Sequence, residues 1–188
     1  MDSHISLIGS IVIGSLLLLS ILNFQSDLKS HSFQRTNDLI FQNAAVGTIE
    51  VLQWDFRQIG SGVDTSGIMV ADSNNFIYRV DLNADSIIDT VRYFVSDTSA
   101  ASATPNPRDR LFFRLVNGEQ NAGDAIGVTD FKLKYFNSLG SETTILREIK
   151  TIEVTLEMES TTPDDNGDYT SFFWREKVSP PNLQFKVF

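Results

Sequence analysis

Hydrophobic and polar positions fall into three regimes along the chain. From Ile5 to Phe24 the sequence ISLIGSIVIGSLLLLSILNF carries no charge. At about 1.5 Å per helical residue, such a stretch matches a bilayer hydrocarbon core about 30 Å thick. It reads as a retained membrane-spanning helix over residues 1–24. A cleaved secretory signal would carry a basic leader and small residues at a cleavage site; here the leader is MDSH and Ser20-Ile-Leu-Asn suits cleavage poorly. After Phe24 the pattern turns amphipathic. Phe41, Ala45, Ile49, Leu52, Phe56 and Ile59 recur every three or four residues, which places them on one helical face. No proline interrupts before Pro105, and Gly60-Ser61-Gly62 is a plausible stop. Residues 25–60 therefore continue the first helix, with Asn37 and Gly47 as its weak points.

Beyond Gly62, over residues 61–188, the period becomes two and β-branched and aromatic residues dominate, the signature of strands. The pattern predicts strands at 68–71, 76–81, 87–95, 111–116, 131–136, 149–158 and 171–178. In the sixth, Ile152, Val154, Leu156 and Met158 alternate with Glu153, Thr155, Glu157 and Glu159, as in an antiparallel strand with one wet face. Glu153 and Glu157 have the spacing of an acid/base pair, but the alternation assigns them to that solvated face. Three polar stretches, SDTSAASATPNPRD (96–109), NGEQNAGD (117–124) and TTPDDNGD (161–168), read as loops. The fold class is α+β: a long N-terminal helix packed on a mostly antiparallel sheet.

Charge and composition narrow the function. The 188 residues fit one compact domain with an appendage. A net charge of −9 has the wrong sign for a nucleic-acid partner, and 19 acidic against 12 basic residues from Ser61 onward put most of it on the β domain. The absence of cysteine removes thiolate chemistry, and the only histidines, His4 and His31, flank the apolar segment. The β domain so lacks the imidazole of a hydrolytic triad or a histidine zinc site. A non-enzymatic role is expected.

Two groups of residues carry candidate chemistry. Ser6, Ser10 and Gly14, four apart, form a small-residue stripe that lets another helix approach closely. Asp81, Asn83, Asp85 and Asp89 place oxygen ligands at the alternate positions used by calcium loops. Ser86 replaces the turn glycine of such loops and Arg92 stands where the bidentate glutamate belongs. A hairpin turn bonded to its own backbone is therefore favoured over a bound calcium, and no other cofactor is expected.

An apolar span running into an amphipathic helix, followed by an antiparallel sheet, resembles the ladle of type IV pilins and type II secretion pseudopilins. Ile5-Ser-Leu-Ile-Gly9 is similar to the mature pilin start Phe-Thr-Leu-Ile-Glu. Val51-Leu-Gln-Trp-Asp-Phe-Arg-Gln-Ile-Gly60 resembles the helix end of the larger minor pilins and J-type pseudopilins. So do Tyr78-Arg-Val-Asp-Leu-Asn-Ala-Asp85 with Asp89-Thr-Val-Arg-Tyr93, and Lys177-Val-Ser-Pro-Pro-Asn-Leu183 near the C-terminus. The resemblance implies a structural subunit of a pilus or secretion filament, partnered by other pilin-like subunits through its N-terminal helix. It also implies an N-terminus cut and methylated between His4 and Ile5, and a single pass of a bacterial inner membrane with the C-terminal domain periplasmic or extracellular. Lys29 and Arg35, which follow the span, favour the opposite orientation by charge alone. Two positions depart from the family: His4 stands where the peptidase meets glycine, and Gly9 where a glutamate would neutralise a neighbour's amine. They point to a minor or tip-like role. The alternative is a solitary single-span binding protein that displays its β domain.

Overall fold

The computed structural model describes residues 2–64, 67–120, 124–164 and 166–184, with the side chains of 2–6, 120 and 124–126 left aside. Helix α1 runs unbroken from Asp2 to Gln58, through Asn37 and Gly47, because one run of helix formers without proline covers both membrane-like and amphipathic stretches. The chain divides into two compact units, Met1–Ile40 and Phe41–Phe188, so the second unit begins inside the helix.

In that second unit the strands are β1 (Ile68–Ala71), β2 (Asn75–Val80), β3 (Asp89–Val95), β4 (Arg110–Val116), β5 (Glu119–Gln120), β6 (Asp124–Phe136), β7 (Thr151–Glu159) and β8 (Ser171–Val178). They form an antiparallel sheet in the order β1-β2-β3-β4-β6-β7-β8, with the two-residue β5 paired to β4. The protein is thus α+β. Register follows the alternation seen in the sequence: Phe131, Leu133 and Tyr135 stand opposite Leu156, Val154 and Ile152 on the inner face, while Lys132 and Lys134 face Thr155 and Glu153 on the outer. The inner face packs against the helical stripe of the sequence, and Phe41, Ala45, Leu52, Phe56 and Ile59 join Phe76, Tyr78, Tyr93, Phe131 and Leu156 in one core. Phe56 stacks on Phe76 with ring centroids 5.4 Å apart.

Three expectations change. Within the stretch 117–124, residues 117–120 are a hairpin: Asn117 and Gly118 both have positive φ (55° and 79°), the signature of a tight two-residue turn, and Glu119–Gln120 pair back onto β4. Polar composition there marks exposure, not lack of pairing. Strand β6 starts at Asp124 rather than at residue 131, and β3 starts at Asp89 rather than at 87, leaving Ile87 66% exposed. The stretch 96–109 is a loop, as expected, with a 3-10 turn at Thr98–Ala101, and it buries Asn106 and Asp109.

Short α2 (Pro181–Gln184) closes the chain. Leu183 lies 4% exposed beside Gly60 and Gly67, whose Cα atoms approach so closely that a Cβ on Gly67 would stand 2.7 Å from the Gly60 Cα. The Lys150 ammonium donates to the Leu183 carbonyl. Gly127 is more constrained still: φ is +79° and a Cβ would fall 1.9 Å from the Glu159 carbonyl oxygen. Gly127→Ala is accordingly expected to destabilise the fold by at least about 2 kcal/mol, read as a lower midpoint in urea unfolding with an unchanged slope.

Candidate functional site

The N-terminal part of α1 exposes apolar side chains all around. Leu7, Ile11, Leu18 and Phe24 are each about 60% exposed, and the helix is long and apolar enough to cross a membrane, with a mean hydropathy of 2.3 in its most apolar window and none of that window buried. An all-round apolar helix needs lipid or other helices as its surroundings. Hydroxyls in this stretch turn inward: Ser15 and Ser20 donate to the carbonyls of Val12 and Leu16, which leaves no hydroxyl proton facing hydrocarbon at those positions. Of the small-residue stripe, Ser10 and Gly14 are exposed, and a Cβ at Gly14 would meet nothing within 4 Å. The side chains of His4, Ile5 and Ser6, named by the sequence as processing and packing positions, lie outside the described residues.

In the acidic hairpin the carboxylates turn toward the backbone. Asp81 Oδ1 and Oδ2 accept from the N–H groups of Asp85 (3.2 Å) and Ser86 (3.0 Å), Asp85 Oδ1 accepts from Ile87 N–H (2.7 Å), and Asp89 Oδ2 accepts from Leu82 N–H (3.2 Å). Asn83 donates to Asp85 Oδ2 (2.8 Å), and Asn117 to Asp89 Oδ1 (2.7 Å). Ala84 and Ser86 hold positive φ (58° and 68°) without being glycine, a strain that these bonds offset. The four candidate calcium ligands are thus brought together as a turn that caps its own backbone. Among the described residues no three carboxylate or imidazole side chains converge as a metal cluster would require. Glu153 lies on the sheet's outer face, 3.6 Å from Lys177, and Glu157 is exposed opposite Phe173.

The second unit holds a buried charge cluster that the sequence did not announce. Asp55, on the sheet-facing side of α1, is fully buried. Its Oδ2 accepts from Arg114 Nε (2.6 Å) and Tyr93 Oη (2.5 Å), and its Oδ1 from Arg114 Nη2 (3.0 Å). This two-pronged pairing is the strongest geometry available to a guanidinium and a carboxylate. Tyr78 Oη, also near Asp55, has no well-aligned partner. The carboxylate holds the Arg114 guanidinium charged well above its ordinary range. Burial, then the Asp55 charge, pushes the Tyr78 and Tyr93 hydroxyls well above theirs, and burial raises Tyr135. Asp55 and Arg114 are 59 residues apart, and the single signal available was an acid standing within one turn of the apolar stripe at Leu52, Phe56 and Ile59.

Near the end of α1, Glu50, Gln53, Trp54, Arg57 and Gln58 line a shallow depression of about 350 Å³. Trp54 is 52% exposed there, and the adjacent Val51 is 47% exposed. No family model, curated protein or solved structure matches the chain.

Two outcomes test the buried cluster. Asp55→Asn or Arg114→Leu alone should cost about 3–5 kcal/mol, because each strands a partner away from water, and the double substitution should cost less than the two combined; urea unfolding of the four proteins measures this. Tyr78, Tyr93 and Tyr135 have folded pKa values above their unfolded ones, so their contribution to stability is complete below about pH 10 and is lost as pH rises past it. In an absorbance titration at 295 nm, three of the four tyrosines should stay un-ionised at pH 11 until the protein unfolds.

Proposed function

We propose that the protein is a non-enzymatic, membrane-anchored structural subunit of the minor pilin or pseudopilin kind, assembling through its N-terminal helix with other subunits of that kind in a type IV pilus or type II secretion-like filament. The observation that carries this reading is a single helix, Asp2–Gln58, that is apolar and unburied over its first part and supplies the core of an antiparallel sheet domain with its last part. A simple tether needs no helical continuity between span and domain. A subunit that transmits force or position along a bundle does. The motif residues Leu52, Asp55, Phe56 and Ile59 support the resemblance at the helix end, because they are buried under the sheet. Exposed Val51 and Trp54 beside them offer apolar area to a neighbouring subunit.

In this reading the N-terminus is cytoplasmic and the sheet domain periplasmic or extracellular. Ser6, Ser10 and Gly14 line the helix contact, and processing falls between His4 and Ile5. Gly9 leaves the apolar bundle without the carboxylate that a major subunit would contribute, which suits a minor or tip position where few copies pack side by side.

Gly14→Leu adds bulk into open space on the isolated chain, so the fold should survive. Helix association should weaken by about 1–2 kcal/mol, near tenfold in affinity. The test is the yield of partner subunits that co-purify with the full chain from native membranes, with the mass of its N-terminal peptide measured on the same sample. A terminus at Ile5, together with reduced co-purification in the variant, supports the reading. Co-purification unchanged by Gly14→Leu and an uncut N-terminal peptide would overturn it in favour of a solitary anchored binding domain.

A further inference from the structure

The stretch before β4 buries a carboxylate that no cationic group among the described residues is seen to pair with. Asp109 is 1% exposed, and neither Oδ1 nor Oδ2 receives a well-formed hydrogen bond. Leaving a buried polar atom unpaired costs about 1–3 kcal/mol, and more for a charged one, so native proteins seldom keep such a group without a partner. Its surroundings are oxygen-rich. Thr104 lies against the Asp109 carboxylate and Glu159 carries the second negative charge nearby. Thr104 Oγ1 stands 3.0 Å from the Ala101 carbonyl oxygen and 3.4 Å from that of Asn106.

One cationic group of the region already pairs with Glu159, and two others are committed elsewhere. Arg108 reaches Glu159 Oε2 from the outside at 2.8 Å and is 62% exposed. Arg110 donates to the carbonyls of Thr129 and Ser96, and Lys132 pairs with Asp130. Asn106 Nδ2 also donates to Glu159 Oε2 (2.9 Å), so both of these contacts fall on one oxygen of Glu159 and none on Oε1. Tyr169 Oη donates to the Pro105 carbonyl (3.2 Å) and pins the stretch from above.

We propose that Asp109 and Glu159, with the oxygens of Thr104, Ala101 and Asn106, form a binding site for a hard divalent cation of the calcium class. Such a cation takes six to eight oxygen ligands at about 2.3–2.6 Å, and the carboxylate, hydroxyl and carbonyl oxygens here are of that kind, although the Thr104 hydroxyl now donates to the Ala101 and Asn106 carbonyls. An ion at that distance sits closer to its ligands than a water-sized sphere can come, so the complete burial of both Asp109 oxygens is compatible with occupancy. A proton is the competing neutraliser, and burial does raise the Asp109 pKa. A proton equips only one carboxyl oxygen, however, and the Thr104 hydroxyl against the pair makes no well-formed bond to either. The ligand set has no nitrogen or sulfur, which disfavours zinc and copper. The site differs from the acidic hairpin at Asp81–Asp89, where the carboxylates are already occupied by backbone N–H groups. Occupancy would cross-link the β3–β4 connection to the end of β7, two segments fifty residues apart in sequence.

The test uses the full chain in detergent micelles, stripped with a chelator and titrated with calcium chloride. Calorimetry should show one calcium per chain. At about one hundred times its dissociation constant, calcium should raise the midpoint of thermal unfolding by about 5–10 °C. Asp109→Asn should abolish that shift, and Asp85→Asn, in the acidic hairpin, should retain it. A shift lost in Asp85→Asn but kept in Asp109→Asn overturns the proposal. So does an absence of calcium binding by the wild-type chain in calorimetry, which decides the matter even if Asp109→Asn fails to fold. A higher melting point for Asp109→Asn than for calcium-free wild type, with no calcium response in either, would assign the site to a proton instead.

Discussion

The arrangement of the sheet domain turns on one buried charge. The helical stripe Phe41, Ala45, Leu52, Phe56 and Ile59 supplies the attraction: burying a large apolar side chain is worth about 1.5–3 kcal/mol, and the four large members of the stripe together bring on the order of 10 kcal/mol as an upper bound. An apolar stripe, however, says little about where along a sheet a helix should stop. Sliding by one turn exchanges one aliphatic or aromatic residue for the next at modest cost. Asp55 removes that freedom. Its carboxylate can be buried only where Arg114 and Tyr93 meet it, and any other register leaves a charge stranded among rings. Packing therefore attracts the helix to the sheet, and the ion pair selects its position.

That selection reaches the chain's far end. With α1 fixed against β3 and β4, its last turn brings Gly60 against Gly67, and Leu183 closes over the two glycines. The approach is possible because neither backbone carries a Cβ, and Gly60 also takes a positive φ of 77°. The helix end is in this way set by a charge pair on one side and by backbone contact on the other, so the exposed residues Val51 and Trp54 present a defined surface instead of a mobile one.

Local period made most of the fold legible. Alternation in 152–158 named both faces of β7, and the three-and-four spacing of the stripe named the docked face of α1, because each depends on residues a few positions apart. Partnerships across the chain left no such trace. Nothing near Asp55 in sequence points to Arg114, and nothing near Asp109 points to Glu159. Polar composition also misled. NGEQNAGD looked like a loop, although Glu119 and Gln120 pair with β4; SDTSAASATPNPRD is the loop its turn formers suggested, yet it buries Asn106 and Asp109. Side-chain polarity thus settled neither backbone pairing in the first nor burial in the second.

The same distinction separates the protein's two groups of acids. The sequence drew attention to Asp81, Asn83, Asp85 and Asp89 because oxygens at alternate positions imitate a cation loop. Yet a turn with positive φ at Ala84 and Ser86 leaves several N–H groups without strand partners, and those carboxylates are the nearest acceptors. Their charge is thereby spread over backbone dipoles. Around Asp109 the Thr104 and Asp109 N–H groups donate to the Ala101 and Asn106 carbonyls and not to its side chain. In the proposal made here, a cation supplies the partner of a carboxylate in that position. The density of acids in a sequence is consequently a poor guide to which of them the backbone leaves unsatisfied.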